Sequence, residues 1–103
     1  MLTFKKKEEN VFALYDDGKE IAWVDILGDT IKSVRYESEI TEKRWGDFTL
    51  RSIAYIMRGR YMDFKCDFYD ARLEAIGFER DGDGMKANAL KINFDTCQCG
   101  GKK

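Results

Sequence analysis

The segment Lys43-Arg44-Trp45-Gly46-Asp47-Phe48 has the residue types of an anion-binding turn. It lies between a β-rich stretch, Ile31–Ile40, and a helical pattern that starts near Phe48. A basic turn with a glycine before a helix presents unpaired backbone N–H groups and the positive end of the helix dipole, which together hold phosphate. The residues therefore predict a phosphate-binding turn at Gly46, with the alternative that this glycine only shapes a turn for packing.

Other kinds of chemistry are limited by composition. The chain has no histidine, which excludes Ser–His and Cys–His dyads and removes the commonest metal ligand. The 18 basic and 19 acidic residues give a net charge of −1, and no apolar run approaches the roughly 20 residues that span a bilayer. We therefore expect no nucleic-acid partner, no membrane partner and no metal site.

Cysteine usage indicates the compartment. Cys66, Cys97 and Cys99 are an odd number, and two of them stand in a polar terminal segment, which is a poor disulfide framework. The Cys-x-Cys spacing also lacks the paired pattern of structural zinc, so free thiols are the better interpretation. A cytoplasmic location follows.

The elements that must position the Gly46 turn belong to one predicted domain at residues 1–95, followed by a flexible tail at 96–103. The first half alternates apolar and polar residues between Asp-Gly turn signals, which predicts an antiparallel meander. Its four strands are Leu2–Lys6, Val11–Tyr15, Glu20–Leu27 and Ile31–Ile40.

The second half changes period. Leu50, Ile53, Ala54 and Met57 recur at helical spacing, with Asp47 as a candidate N-cap. A strand at Tyr61–Cys66 follows, then a helix opened by Asp67-Phe68-Tyr69-Asp70 with a buried stripe of Tyr69, Leu73 and Ile76, then a hairpin of Phe78–Asp81 and Lys86–Phe94. The order predicts an α/β fold, an α+β mixed sheet in which the first helix connects two parallel strands.

Three segments carry a family resemblance. Ile76-Gly77-Phe78-Glu79 ends the second predicted helix, Lys43–Phe48 precedes the first, and an early hairpin contains Asp17-Gly18-Lys19. In these features, over about Val11 to Phe94, the chain resembles the GNAT superfamily of acetyl-CoA-dependent N-acyltransferases, and its short first connection is similar to the small members of that family. The resemblance implies a GNAT-like fold and acylation of an amine on a small molecule or a protein.

The resemblance also implies site residues. The pyrophosphate of acetyl-CoA would lie on a cofactor-binding segment, and the pantetheine arm would lie in a gap between Ile31–Ile40 and Tyr61–Cys66. The cofactor-binding residues would be Lys43, Arg44, Trp45, Gly46 and Phe48. Catalytic roles would fall to Glu37 or Glu39 as general base, Tyr69 as general acid and Cys66 as a reactive thiol, against the alternatives of solvent-facing carboxylates, a buried tyrosine and an inert thiol. A homodimer can complete the amine site.

Two other interpretations stay open. Asp47, Phe48 and Leu73 each replace a usual feature of the family, and Asp47 repels a diphosphate. A catalytically degenerate GNAT-like module that binds or regulates proteins fits these departures. An unrelated α+β interaction domain is the third interpretation, and it requires a wholly antiparallel sheet.

Overall fold

A computed structural model describes residues 1–94 of the 103-residue chain. Within that range the chain forms β1 (Leu2–Glu8), β2 (Val11–Asp16), β3 (Lys19–Leu27), β4 (Thr30–Tyr36), α1 (Glu39–Arg60), β5 (Asp63–Cys66), α2 (Ala71–Ala75), β6 (Glu79–Asp81) and β7 (Gly84–Asn88). A short 3-10 helix, Ala89–Lys91, follows β7. The predicted tail at 96–103, with Cys97 and Cys99, and the domain boundary at residue 95 lie outside the described residues.

The seven strands of this range form one mixed sheet in the order β1-β2-β3-β4-β5-β7-β6. The first four strands are an antiparallel meander, as predicted. Strands β4 and β5 pair in parallel, and α1 connects them. The predicted mixed α/β class, with a meander followed by helix, strand, helix and hairpin, is confirmed, and the wholly antiparallel sheet that the third interpretation needs is excluded.

Two tight turns fix the register of the meander. Asp17 and Gly18 have φ values of 52° and 88° between β2 and β3, and Gly28 has a φ of 58° between β3 and β4. Positive φ at such positions matches the right-handed twist of the flanking strands. The Asp-Gly and Gly-Asp signals in the sequence therefore mark real hairpins.

Helix α1 starts earlier than the sequence patterns predict. Its N-cap is Ser38, whose side chain accepts a hydrogen bond from the Thr41 amide at 3.2 Å. Glu39 and Glu42 in the first turn complement the positive end of the helix dipole. The predicted start near Phe48 with Asp47 as cap is wrong, and β4 ends at Tyr36, two residues before the Ser38 cap.

The second helix and the last strand are also shorter than predicted. Asp70 caps α2 by accepting from the Arg72 amide at 2.8 Å, so the predicted opening at Asp67 is wrong. Tyr69 precedes this helix and is 40% exposed, which places it outside the buried stripe. The strand predicted to reach Phe94 ends at Asn88, whose side chain caps the 3-10 helix by accepting from the Leu90 amide.

The main core lies between one face of the sheet and the two helices. The predicted stripe of Leu50, Ile53, Ala54 and Met57 is fully buried, together with Leu73 and Ile76 of the α2 region. The opposite face of the sheet carries charged side chains in cross-strand pairs, such as Lys7 with Glu20 at 2.8 Å. The described part of the chain is thus a two-layer structure, and none of its helices has the length and apolarity needed to cross a membrane.

Candidate functional site

The segment predicted to cradle a phosphate is helical. Residues 43–48 lie inside α1, which begins at Glu39, so their amides donate to carbonyls four residues earlier. The prediction of unpaired amides at Arg44–Phe48 is therefore wrong. Local signals at Gly46 and Asp47 resemble a helix start, but the Ser38 cap forms eight residues before Gly46.

At Gly46 a side chain from α2 lies where the Cβ atom of any other residue would be. It is buried, and a Cβ atom placed on it would overlap Nη1 of Arg72. The guanidinium crosses α1 at this point because no side chain stands in its way. This contact agrees with the alternative that Gly46 serves packing.

Arg72 is held there by two carboxylates. Its Nε and Nη2 atoms donate to the two oxygens of Asp70 at 3.0 and 2.8 Å, and Nη2 also donates to Oε2 of Glu42 at 3.0 Å. The Asp70 side chain is 16% exposed and that of Arg72 is 31% exposed. This bidentate pair joins the N-cap of α2 to the first turn of α1.

Tyr36 completes the cluster from the end of β4. Its hydroxyl oxygen is buried and has no hydrogen-bond partner among residues 1–94. Burial raises the pKa of this phenol from 10.0 to about 12, and the nearby Arg72 charge lowers it only in part. Tyr36 therefore stays neutral at physiological pH.

The predicted pantetheine gap lies where β4 and β5 separate. Strands β4 and β5 pair only at Thr30 with Lys65 and at Ile31 with Cys66, and their last link is the Asp67 amide donating to the Ile31 carbonyl at 3.0 Å. Beyond this point Lys32 of β4 pairs with Asp67 after β5, and the cluster of Tyr36, Glu42, Asp70 and Arg72 joins the end of β4 to the N-terminal ends of α1 and α2.

The proposed bases differ in their surroundings. Glu37 accepts from Lys19 at 2.8 Å and from the Thr41 hydroxyl at 3.3 Å, and the Lys19 hydrogen bond lowers the pKa of this carboxyl. A carboxylate with a lowered pKa is a weaker proton acceptor. Glu39 is an exposed residue in the first turn of α1.

Cys66 and Tyr69, the other two predicted catalytic residues, lie in surroundings that differ from those of Glu37. Cys66 is 2% exposed, and burial raises the pKa of its thiol to about 12. Tyr69 donates its hydroxyl proton to Glu74 at 2.6 Å, and the guanidinium of Arg80 lies over its ring. The geometry of both residues fits structural roles, an inert core thiol and a surface cation–π contact.

The outward side of α1 is the feature that the sequence patterns did not reveal. Phe48 is 41% exposed and Tyr55 is 66% exposed, and they lie two turns apart on the same side of the helix. They belong to a shallow depression of about 580 Å³, here called the α1 groove, which is lined by Phe4, Phe48, Arg51, Ser52, Tyr55, Ile56 and Phe94. The available signal was the seven-residue spacing of Phe48 and Tyr55 on the side opposite the core stripe.

Arginines on the outward side of α1 pack on aromatic rings. The guanidinium of Arg44 lies 5.8 Å from the Trp45 ring, and that of Arg58 lies 5.5 Å from the Phe94 ring. Arg51 donates to Asp47 at 2.8 Å and to the Phe94 carbonyl at 2.9 Å. These contacts fix arginine side chains around exposed apolar surface.

No known family model, curated protein or solved structure matches this chain. Within residues 1–94, no group of three or more cysteine, aspartate or glutamate side chains is placed to hold a metal ion. The geometry of the α1 groove and of the Arg72 cluster therefore carries the functional proposals.

The contact between Gly46 and Arg72 predicts a contrast between two helical glycines. Gly59→Ala, where no atom lies within 4 Å of the added Cβ, should raise the free energy of unfolding by about 0.5–1 kcal/mol through helix propensity. Gly46→Ala should lower it, because the guanidinium must leave Glu42 and Asp70. Urea denaturation measures both values.

A double-mutant cycle provides the control. In an Arg72→Ala background, Gly46→Ala should stabilise α1 as Gly59→Ala does, which gives a coupling energy of about 1 kcal/mol or more. Equal stabilisation by Gly46→Ala and Gly59→Ala in the otherwise unchanged chain would show that Arg72 does not occupy this position.

Burial of Cys66 predicts an unreactive thiol. In a Cys97→Ser, Cys99→Ser background, native protein near pH 8 should react with a disulfide reagent about 100-fold more slowly than the urea-unfolded chain. The unfolded thiol releases its proton near pH 9.0 and the folded thiol near 12, so the free energy of unfolding should also fall as pH rises between these values. Native labelling as fast as that of a free thiol contradicts this assignment.

Proposed function

We propose that this chain is a protein-binding module on a GNAT-like scaffold, with the α1 groove as its binding surface. The observation that carries the proposal is the exposure of Phe48 and Tyr55 within one apolar depression. The Arg72 cluster supports it from the other side, because it ties the N-cap of α2 to the first turn of α1, the helix end where an acyl-CoA would have to bind.

The exposed rings supply binding energy that folding does not use. Burying a large apolar side chain contributes about 1.5–3 kcal/mol, and aromatic residues and arginine are the types enriched at protein interfaces. The α1 groove offers Phe48, Tyr55 and Phe94 with Arg51 among its lining residues. A partner that buries these rings would gain several kcal/mol without rearranging the core.

Two features of the fold support the GNAT-like interpretation of the scaffold. The resemblance implies that the strands before and after the first helix run in parallel and then separate, and that the chain continues through a second helix into a hairpin. Strands β4 and β5 pair at two positions only, and α2 leads into the β6–β7 hairpin. The departures at Asp47, Phe48 and Leu73 fit a scaffold that serves binding.

Selection from a random peptide library displayed on phage tests the binding function. Peptides enriched on this protein should lose at least about tenfold in affinity for the Phe48→Ser, Tyr55→Ser double variant, because both anchors of the groove are then polar. Biolayer interferometry with synthetic copies of the enriched peptides measures the change.

The matched control replaces exposed leucines elsewhere on the surface. Leu27 and Leu90 are 60% and 82% exposed, and neither lines the α1 groove. Leu27→Ser, Leu90→Ser should leave the affinity unchanged. Enrichment of no peptide, or of peptides that bind the Phe48 and Tyr55 double variant equally well, would contradict the proposal.

A second candidate is the acyltransferase itself, with acetyl-CoA as cofactor and an amine of a small molecule or protein as acceptor. The observation that favours it is the separation of β4 from β5 after Ile31, with the N-terminus of α1 beside the opening. An acyl chain would enter only if the Arg72 cluster moved. Glu37 and Glu39 would then be the nearest candidate bases.

Thermal denaturation distinguishes the two candidates. If the cofactor binds the native state, acetyl-CoA at about 1 mM should raise the melting temperature in a concentration-dependent way. Pyrophosphate at the same concentration controls for anions that bind the arginines of α1. The protein-binding proposal expects no shift beyond that of pyrophosphate, whereas a larger shift with acetyl-CoA would support the acyltransferase.

A further inference from the structure

Charge is distributed unevenly along α1. Between Lys43 and Arg60 the chain has five basic residues and one acidic residue, a net charge of +4 in a chain whose total is −1. The acidic residue, Asp47, is already paired with Arg51 at 2.8 Å. The outward side of α1 carries Arg44, Arg51 and Arg58 against Asp47, so its charge is positive in a chain whose total is −1. Arg60, seven residues after Ile53, falls on the side of the core stripe, over the ring of Phe12.

Three of these cations are preorganised on aromatic rings. Arg44, Arg58 and Arg60 lie over the rings of Trp45, Phe94 and Phe12, and all three are exposed. None of the three makes an ion pair with another residue of the described range 1–94. A guanidinium stacked on a ring keeps its N–H edge available, and that edge matches a carboxylate in bidentate geometry.

We propose that the partner of the α1 groove is an acidic segment of another protein, in which apolar anchor residues alternate with Asp and Glu. The apolar side chains occupy the depression around Phe48 and Tyr55, and the carboxylates pair with Arg44 and Arg58. This assignment rests on the protein-binding function proposed above and specifies its partner by chemistry.

The same surface fits other macromolecules less well. Bases need free ring faces for stacking, but guanidinium groups lie over the rings of Trp45 and Phe94, and Phe12 is 4% exposed. The rings of Trp45 and Phe48 pack edge to face, with their centroids 6.4 Å apart. A bilayer is entered by protruding side chains, whereas Phe4, Tyr55 and Phe94 line a depression. Concave apolar surface bordered by arginine favours an acidic peptide.

Fluorescence anisotropy with two designed peptides tests the proposal. The first places Leu and Phe at helical spacing and Glu or Asp elsewhere, and the second has Lys at every acidic position. The acidic peptide should bind at least about tenfold more tightly than its charge-reversed partner, and its affinity should fall as salt screens the arginines. Tighter binding of the lysine peptide, or no binding of the acidic one, overturns the proposal.

Variants locate the contact. The double variant Arg44→Gln, Arg58→Gln should bind the acidic peptide at least about fivefold more weakly. Arg35→Gln is the matched control, because Arg35 also stacks on a ring, that of Trp23, but on the opposite face of the sheet. An equal loss in Arg35→Gln would place the peptide outside the α1 groove and overturn the proposal. Circular dichroism confirms that each variant is folded.

The outcomes separate this inference from the binding function on which it rests. If the acidic and lysine peptides bind equally and both lose affinity in Phe48→Ser, Tyr55→Ser, the acidic partner is overturned and the groove remains a protein-binding site. If a single-stranded oligonucleotide or an anionic phosphatidylserine vesicle binds more tightly than the acidic peptide, that class of partner replaces it. A dimer that the Phe48 and Tyr55 substitutions dissociate would assign the groove to a second copy of the chain and overturn the inference.

Discussion

Burial of the inner side of α1 against the sheet is the interaction on which the rest of the described structure depends. Leu50, Ile53 and Met57 are 1% exposed or less. Each contributes about 1.5–3 kcal/mol on burial, a large fraction of the stability of a domain of this size. Because helices cover only one face of the sheet, the core has no second layer to replace α1. The helix must therefore be long, continuous and fixed in rotation.

That constraint explains why the anticipated phosphate turn becomes helix. Covering β2 to β5 needs the helix to begin directly after β4, where Ser38 supplies the cap. Gly46 then falls on the side of α1 that meets α2, and Arg72 fills the space that its missing Cβ leaves. Removing one member of this partly buried cluster leaves the remaining charges uncompensated. The cluster therefore holds α2 against α1 in one geometry, even where its net contribution to the free energy of unfolding is small.

The sequence is informative where structure is decided locally. The meander follows from alternation and from the Gly18 and Gly28 turns, and the inner stripe of α1 follows from its 3.6-residue period. The start of α1 is not decided by local sequence. Gly46 and Asp47 have the residue types of a helix start, and the reason for a glycine inside the helix is its contact with Arg72, which is distant in sequence. The same limit applies to Tyr69, whose exposure depends on where Asp70 caps α2.

The candidate site was harder to predict than the fold, because α1 has a core side and, in the proposed function, a binding side opposite to it. A helical pattern identifies the buried side, and aromatic residues on the other side then look like ordinary surface. Tertiary neighbours make these aromatic residues part of a depression. Phe4 arrives from β1 and Phe94 from the segment after the 3-10 helix, and these two rings convert an exposed helix side into a depression.

Packing of α1 on the core also fixes the shape of the depression that a partner would meet. Since the inner side of α1 is locked, Phe48 and Tyr55 keep their relative positions in the free protein, and docking does not have to order the backbone beneath them. Stacking on Trp45 and Phe94 similarly restricts Arg44 and Arg58 before a partner arrives. The interaction that stabilises the fold thus also fixes the outward side of the same helix in the geometry that the proposed recognition requires.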